Sequence, residues 1–420
     1  MRLTLSILSM VFGLLLIACQ NKPPTPTPTI TPSPFPSSTP TITPTPIPPT
    51  PTYMPPRTDT TFPVSRDIYK WPFAHDSIWN MPIGSGAVYV QVKIQPAGGF
   101  GMTVDEDIII LKPDAPLMDV YYNYEGWSRR NRCVIQGDRV GQFPIPPGFF
   151  VPHLDGTTPN NSTAILMPDG RTIKQNQPFH HCPGQDYGVT QYLFPDVDIY
   201  GDGTPGAHGA SGLSSIGGTI RLGELVPGSF IRHALKVNLF CRVNCYYDPT
   251  ENTPGYRWPA FSADNYAGDP DNPIRYLGRN PVLQIGALLT LHPSVNLNSL
   301  AENSLGLETE PALILARTFQ DYGAYLVDDT AWDVYAILVE RSPDGNVVDE
   351  FEKVWGFTIT PPSTMTPWSR DMQRIFTNLY VVDNNEPDSV GGGGTLRQPL
   401  APTVSPDAPV TSVISVRSSP

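Results

Sequence analysis

A nearly continuous run of prolines and threonines occupies the chain from Lys22 to about Pro56 and restricts where a folded body can lie. The run contains scarcely an aliphatic side chain, so it cannot bury a hydrophobic core. Repeated prolines fix φ and favour extended polyproline II, in which about thirty residues form a semi-rigid spacer roughly 100 Å long. The sequence therefore predicts a disordered Pro/Thr stalk over residues 19–60, with the folded body after it.

The first residues of the chain are typical of a bacterial export signal. Met1-Arg2 supplies positive charge, and the apolar run from Leu3 to Ala18 is too short to form a stable membrane span. Leu16-Ile17-Ala18-Cys19 resembles the bacterial lipobox, which implies removal of residues 1–18 and diacylation of Cys19. Because two acyl chains anchor a protein stably, we expect a lipoprotein on the extracytoplasmic face of the cell membrane. The alternative is a plain signal peptide with a chance cysteine.

We place the folded body at residues 61–390, and its length and charge limit the kinds of domain and partner to be expected. Roughly 330 residues are within reach of one large β-rich domain. The net charge of -12 argues against nucleic acid as a partner, because its phosphates require clustered Lys and Arg. After this body, Gly391 to Gly394 and the Pro/Ser/Val-rich residues that follow predict a disordered tail over residues 391–420.

Short apolar segments separated by turn residues predict a mainly β fold. The segments are rich in Val, Ile, Tyr, Phe and Thr, and Gly, Pro, Asn and Asp lie between them. Pro168-Asp169-Gly170 and Pro343-Asp344-Gly345 each join two such segments, so each predicts a hairpin. Helices are few, and residues 308–322 show the apolar spacing of an amphipathic one. We therefore expect a β-sandwich or jelly-roll-like body with a few short helices.

The cysteines predict disulfide bonds. Five are present, and lipidation of Cys19 leaves an even number, which in an exported chain indicates two disulfides with three possible pairings. We favour Cys241 with Cys245, which flank a short turn after a strand, and Cys133 with Cys182. The alternative is a zinc site at His180-His181-Cys182, although cysteine-based zinc sites normally show closely spaced pairs on both sides.

The stretch from Gly206 to Leu225 combines many small residues with Ile220-Arg221 and Glu224, and it leads to Ile231-Arg232-His233-Ala234-Leu235. It resembles a group of uncharacterised secreted proteins from actinobacteria and related soil bacteria. The likeness spans about residues 71–390 and implies export and a shared fold, but no established activity. It continues in the same order in residues 76–83, 257–260, 286–291 and 321–329. This chain departs from the group at His208 and Asp329, where the group commonly has an acidic residue and an Asn.

Four residues are candidates for catalysis: His233, Glu224, Asp328 and His208. His233 lies on the apolar face of a strand, where a histidine is usually a hydrogen-bonded core residue. If it opens to a cleft instead, it suits general acid/base chemistry or substrate binding. Glu224 follows Arg221 by three residues, so a structural ion pair between them is one interpretation. In the other, Glu224 and Asp328 are the two carboxyl groups of a glycoside hydrolase.

Aromatic, Asn and Asp side chains are plentiful, and on a cell-surface protein they indicate sugar binding. Rings stack on sugars while polar groups bond to their hydroxyls, although aromatic residues also fill β cores. We expect substrate contacts from Arg221, Trp258, Tyr187 and Trp79.

A separate glycine turn contains three carboxylates and indicates either a calcium site or a plain Asp/Gly turn, at Asp196, Asp198 and Asp202. No other cofactor is expected.

Sequence motifs of several other enzyme classes are missing. The sequence has no Gly-x-Ser-x-Gly elbow, no phosphate-cradling Gly-Lys-Ser/Thr loop and no His-Glu-x-x-His helix. We therefore expect a surface-anchored lipoprotein that acts on or binds extracellular polysaccharide; an enzyme of this kind would be a glycoside hydrolase or polysaccharide lyase. The alternative is a non-catalytic wall-binding or adhesion module in which the candidate residues are structural.

Overall fold

The computed structural model describes residues 62–98, 101–127, 130–151 and 160–404. The predicted signal peptide over residues 1–18, the lipidation site Cys19 and the stalk over residues 19–60 lie outside the described residues. Within the described ranges, no helix combines the length and the apolar character that a membrane crossing requires.

Strands dominate the structure. In chain order they are β1 (Tyr89–Gln91), β2 (Met102–Ile110), β3 (Leu117–Tyr122), β4 (Arg139–Pro144), β5 (Thr163–Leu166), β6 (Thr172–His180), β7 (Tyr187–Asp198), β8 (Pro205–His208), β9 (Leu235–Leu239), β10 (Leu288–Leu291), β11 (Ala324–Asp329), β12 (Tyr335–Ser342), β13 (Gly345–Asn346) and β14 (Leu379–Val382). All of them except β8 form one sheet in the order β1-β14-β10-β11-β9-β12-β2-β5-β6-β7-β3-β4, with β13 paired to β12. The predicted mainly β fold is confirmed.

The sheet is mixed. β2 runs parallel to both β12 and β5, β9 runs parallel to β11, and β3 runs parallel to β7. A sandwich or jelly roll consists of antiparallel strands in two packed layers, whereas here one hydrogen-bonded sheet joins strands that are remote in sequence. Parallel strands buried on both faces read as continuous apolar runs, as β11 and β12 do.

Four short helices accompany the sheet: α1 (Cys241–Asn244), α2 (Glu310–Asp321), α3 (Val347–Trp355) and α4 (Pro367–Thr377). The amphipathic helix predicted over residues 308–322 is confirmed as α2. Alternate residues of the central strands enter two different cores. Val237 and Ile337 pack with residues of the helices, and Val327 and Leu338 pack in the second core with the segment around Trp79.

Both predicted hairpins are confirmed. Pro168-Asp169-Gly170 joins β5 to β6, and Pro343-Asp344-Gly345 joins β12 to β13.

Both predicted disulfides are also confirmed, with Cα–Cα distances of 6.1 Å for Cys133–Cys182 and 4.4 Å for Cys241–Cys245. Because Cys182 is in a disulfide and His181 bonds to backbone carbonyls, the alternative of a zinc site there is wrong.

The end of the body lies later than predicted. Gly391 accepts a backbone hydrogen bond from Gly84, and Leu396 forms a β-bridge with the same glycine. Arg397 is only 3% exposed, and its Nε lies 3.2 Å from Asp321 Oδ1. The disordered tail predicted from residue 391 is therefore wrong for residues 391–404. The glycine run has positive φ angles and packs closely on the segment from Gly84 to Ala87, so it is a tight turn.

Candidate functional site

A cleft of about 850 Å³ opens at one end of the central strands. The carboxyl ends of β9 and β11 and the beginnings of β2 and β12 meet there, because β9 and β12 are antiparallel. Residues of β7 and of the loop over residues 262–266 form its other walls. The sheet therefore brings together polar residues that are far apart in the chain.

Carboxyl groups dominate the cleft: Asp105, Glu106, Asp264, Asp328 and Asp329. Among the described residues that line the cleft there is no lysine and no arginine. The cleft is therefore acidic, and the attraction or repulsion of a ligand will depend strongly on the charge of that ligand.

Asn160 connects two of these carboxyl groups. Its Nδ2 lies 3.3 Å from Asp105 Oδ2 and 3.0 Å from Asp328 Oδ2. The other oxygen of Asp328 accepts backbone hydrogen bonds from Ala210 at 3.0 Å and Asp329 at 2.9 Å. Asp328 is thus held by its Oδ1 atom, and its Oδ2 atom is directed to Asn160 and the neighbouring carboxyl group.

A second pair of carboxyl groups is held by tyrosines. Tyr266 donates to Asp329 Oδ2 at 3.0 Å, and Tyr276 donates to Asp264 Oδ2 at 2.6 Å. The backbone N–H of Cys241 donates to Asp329 Oδ1 at 2.8 Å. These bonds fix both side chains in the wall of the cleft.

Burial makes the cleft carboxyl groups weak acids. Burial, reinforced by the charge of Asp107, raises the pKa of Asp105 to about 7. Burial raises the pKa of Asp329 to about 7 as well. Burial, together with the charges of Asp264 and Asp105, raises the pKa of Asp328 well above its usual range. Proton donors and proton acceptors therefore lie side by side near neutral pH, as general acid/base chemistry requires.

A buried polar network lies behind Asp105. Lys236 Nζ lies 2.8 Å from Asp107 Oδ2, which also accepts a hydrogen bond from Thr219 Oγ1 at 2.6 Å. His208 is completely buried, with its Nε2 3.6 Å from Asp107 Oδ1 and 3.9 Å from Asp105 Oδ2. Burial and the charge of Lys236 lower the pKa of His208 well below its usual value, so its ring is neutral.

Aromatic rings line the same cleft. The rings of Trp127 and Tyr192 lie 5.8 Å apart, and Phe194, Tyr266 and Trp332 also line the wall. Trp332 is 48% exposed, which leaves its ring available for stacking. Such rings next to carboxyl and amide groups are the usual components of a sugar-binding surface.

Two of the four candidate catalytic residues adjoin this site. Asp328 lines the cleft, and His208 lies behind Asp105. His233 and Glu224 do not line it; they contact each other instead, with His233 Nε2 3.0 Å from Glu224 Oε2 and His233 Nδ1 2.8 Å from the Ala234 carbonyl. Both ring nitrogens of His233 are thus satisfied, which fits the interpretation of it as a core residue.

The interpretation of Arg221 and Glu224 as an ion pair with each other is wrong, because each side chain has a different partner. The Arg221 guanidinium bonds to Glu340 at 2.7 Å, and Glu224 accepts the backbone N–H of Arg221. Arg221 is buried and does not line the cleft. The periodicity that predicted a shared helical side does not apply, because this segment is a turn between strands.

The three aromatic residues expected to contact substrate lie elsewhere. Trp79 is 1% exposed and donates from Nε1 to the Gly203 carbonyl at 2.9 Å. Trp258 packs at the edge of the second core. Tyr187 accepts a hydrogen bond from Gln185 at 2.7 Å near the Cys133–Cys182 disulfide. None of the three lines the cleft.

The three carboxyl groups proposed as calcium ligands bind other groups of the protein. Lys174 lies 2.5 Å from Asp196, Arg171 lies 2.5 Å from Asp198, and Asp202 accepts the backbone N–H of Thr204. Among the residues that the structure describes, no group of three metal-ligating side chains is placed to hold an ion. The arrangement is that of an Asp/Gly turn flanked by ion pairs.

Sequence reasoning missed Asp105, Asp264, Lys236, Asn160 and Asn238. A signal for three of them was present. Asp105 belongs to three consecutive acidic residues that precede Ile108 within one strand, and Lys236 and Asn238 alternate along the otherwise apolar β9. Charged or amide side chains inside buried strands are seldom tolerated without a specific partner, so each of them indicated a polar site.

Comparison of the chain with protein-family models, with curated protein sequences and with solved structures gives no significant match.

Proposed function

We propose that this protein is a glycoside hydrolase that acts on extracellular polysaccharide, with Asp328 and Asp105 as its pair of carboxyl groups. The observation that carries the proposal is that Asn160 Nδ2 contacts one oxygen of each group within an open, aromatic-lined cleft. Hydrolysis of a glycosidic bond requires two such groups, one protonated and one ionised.

The two environments support different roles for the pair. Asp328 is the more deeply buried, and its strongly raised pKa keeps it protonated as the general acid. Because Oδ1 already accepts two backbone N–H groups, the proton belongs on Oδ2. Asp105 has a side chain that is 20% exposed and receives hydrogen bonds from Asn160 and Asn238, which stabilise its carboxylate form.

The spacing of the pair favours retention of configuration. Two oxygens that contact one amide nitrogen at these distances lie no more than about 6 Å apart, which is shorter than the roughly 6.5–9.5 Å of inverting enzymes. Asp328 would protonate the glycosidic oxygen while Asp105 attacks the anomeric carbon to form a glycosyl ester. Water activated by the Asp328 carboxylate would then cleave that ester and return the proton to Asp328.

The acidic cleft favours a hydrolase over a lyase. Elimination at a sugar requires an acidic C–H next to a carboxylate, so its substrate is a uronate. The described cleft lining contains five carboxyl groups and no lysine or arginine that could hold such an anion. Hydrolysis has no such requirement.

We place this activity outside the cell, on the membrane surface, with lipidated Cys19 as the anchor and the Pro/Thr run as the spacer. The two disulfides support this location, because such bonds persist in oxidising compartments and are rare in the cytosol.

The experiment is a polysaccharide screen that measures both released reducing ends and the bound fraction of the protein. We expect turnover by the unmodified chain and a loss of at least about a hundredfold in Asp328→Asn and Asp105→Asn. The matched control is Asp271→Asn, an exposed acid that does not line the cleft and should keep full activity. Binding without turnover would instead support the non-catalytic wall-binding module, and unchanged turnover in both variants would exclude this pair.

A further inference from the structure

Beside the proposed catalytic pair, the lining of the cleft carries two further carboxyl groups. Asp264 and Asp329 are fixed by Tyr276 and Tyr266, and the Tyr266 ring lies in the same wall. The proposed hydrolysis at Asp328 and Asp105 does not require either of them. Their presence, with no lysine or arginine in the described lining, needs a separate explanation.

An unsatisfied acceptor independently indicates a ligand with donor groups. Asn238 lines the cleft and is 3% exposed. Its Nδ2 donates to Asp105 Oδ2 at 3.2 Å, but its buried Oδ1 has no hydrogen-bond partner within the described part of the chain. A buried acceptor without a donor is unfavourable, so a ligand that places an N–H or O–H group at this point would satisfy it.

We infer that the substrate is a glycan with free amino groups, such as a glucosamine polymer, and that Asp264 and Asp329 bind its ammonium groups. This inference rests on the proposed hydrolase function and names its substrate class. An ammonium group supplies three N–H donors and a positive charge, and the face of the Tyr266 ring attracts a cation as well. A uronate polymer would bring carboxylates to a described lining that has no lysine or arginine to bind them.

The raised pKa values of the two carboxyl groups agree with this inference. Burial raises the pKa of Asp264 above its usual value, and the pKa of Asp329 is raised to about 7 for the same reason. A bound ammonium group beside them would favour their ionised forms, as opposite charges do at short range. The site is thus poorly adapted to being ionised alone and well adapted to being ionised with a cationic ligand.

The test compares three oligosaccharides by isothermal titration calorimetry at pH 6: a glucosamine hexamer, the same hexamer after N-acetylation, and a uronate hexamer. Binding is measured in the Asp328→Asn variant, which keeps the oligomers intact. We expect the amine hexamer to bind at least about tenfold more tightly than the acetylated one, and the uronate to bind weakest. Raising the salt concentration from about 0.05 M to about 0.5 M should weaken the binding of the amine hexamer alone.

Variants of Asp264 and Asp329 locate the effect. Asp264→Asn with Asp329→Asn removes the charge and leaves one amide oxygen for each tyrosine, while the hydrogen bond from the Cys241 N–H to residue 329 is lost. It should reduce the preference for the amine hexamer to less than about threefold. Asp271→Asn is the matched control and should keep the full preference. Thermal unfolding of each variant verifies that its fold is intact.

The outcomes separate this inference from the proposed function. Equal or tighter binding of the acetylated or uronate hexamer overturns the inference, and release of reducing ends from either polymer would still support hydrolysis. Amine binding that depends on Asp264 and Asp329, without release of reducing ends by the unmodified chain, supports the inference and overturns the hydrolase. An unchanged amine preference in the double variant overturns the assignment to these two residues.

Discussion

The position of a single oxygen, Asp328 Oδ2, depends on a neighbouring residue that has no side chain. Gly209 has a φ of +41°, and a Cβ atom at this position would overlap the Asp328 carboxyl group. A side chain there would therefore strain the backbone and displace Asp328 from Asn160.

We predict that Gly209→Ala destabilises the fold by about 1–3 kcal/mol and reduces hydrolysis more than this loss of stability explains. Urea unfolding and reducing-end release measure the two effects. The matched control is Gly148→Ala, where an added Cβ would meet nothing within 4 Å, so both quantities should stay unchanged. Full activity in Gly209→Ala would contradict the proposed role of the Asp328 position.

Strand alternation allowed only part of the site to be predicted at this scale. Alternation over residues 231–237 predicts His233 on the apolar face of a strand, but β9 begins only at Leu235. On the opposite face, Lys236 contacts Asp107 behind the cleft, and Asn238 contacts the cleft residue Asp105. A period of two identifies the two faces but not which face adjoins a cleft, because that depends on which strands lie beside it.

At the scale of the elements, the two disulfides close loops of very different length. Cys133 and Cys182 are separated by 49 residues, and Cys241 and Cys245 by four. Chain entropy predicts a larger stabilisation from the longer loop, about 4 kcal/mol compared with about 2 kcal/mol.

We therefore predict that replacing both Cys133 and Cys182 by Ser lowers the free energy of unfolding about twice as much as replacing Cys241 and Cys245 by Ser. Urea unfolding of the two double variants under oxidising conditions measures the difference. The variants serve as controls for each other, since each removes one disulfide bond. A larger loss for the pair separated by four residues would show that local packing outweighs loop closure.

Elements set by local chemistry were predicted, and elements set by distant pairing were not. The two Pro-Asp-Gly turns formed hairpins and the spacing of residues 308–322 formed α2, because the determining residues lie within a few positions of each other. The parallel pairing of β2 with β12 joins strands more than 200 residues apart, as Met102 opposite Tyr335 illustrates. No periodicity in the sequence encodes such a pairing, so the mixed sheet and its cleft could not be predicted.

For the molecule as a whole, the cleft carboxyl groups make stability depend on pH. Asp105 and Asp329 have pKa values of about 7 in the folded state, against a usual value of 3.8. Between these values the folded state binds more protons than the unfolded state, so stability must fall as pH rises through this window.

We predict that the double variant Asp105→Asn, Asp329→Asn is more stable than the unmodified protein at pH 8, by roughly 3 kcal/mol, and that the difference is much smaller at pH 4. Urea unfolding at both pH values measures it. Glu308 provides the control, because the hydrogen bond from Arg370 and the nearby Arg374 lower its pKa to about 2. Glu308→Gln should lower the free energy of unfolding at pH 8, and the loss should be smaller at pH 4. A double variant less stable than the unmodified protein at pH 8 would contradict the raised pKa values.

The pairing of β1 with β14 has a consequence for biosynthesis. The ribosome releases residues 89–91 early, but their partner strand at residues 379–382 emerges nearly 300 residues later. The β-bridge of Gly84 with Leu396 and the hydrogen bond from Arg66 to the carbonyl of Pro402 likewise require residues that are synthesised late. A nascent chain therefore cannot complete this sheet before residue 382 has emerged, and a truncation before residue 379 leaves β1 and β10 without their shared partner strand, as edges exposed to aggregation.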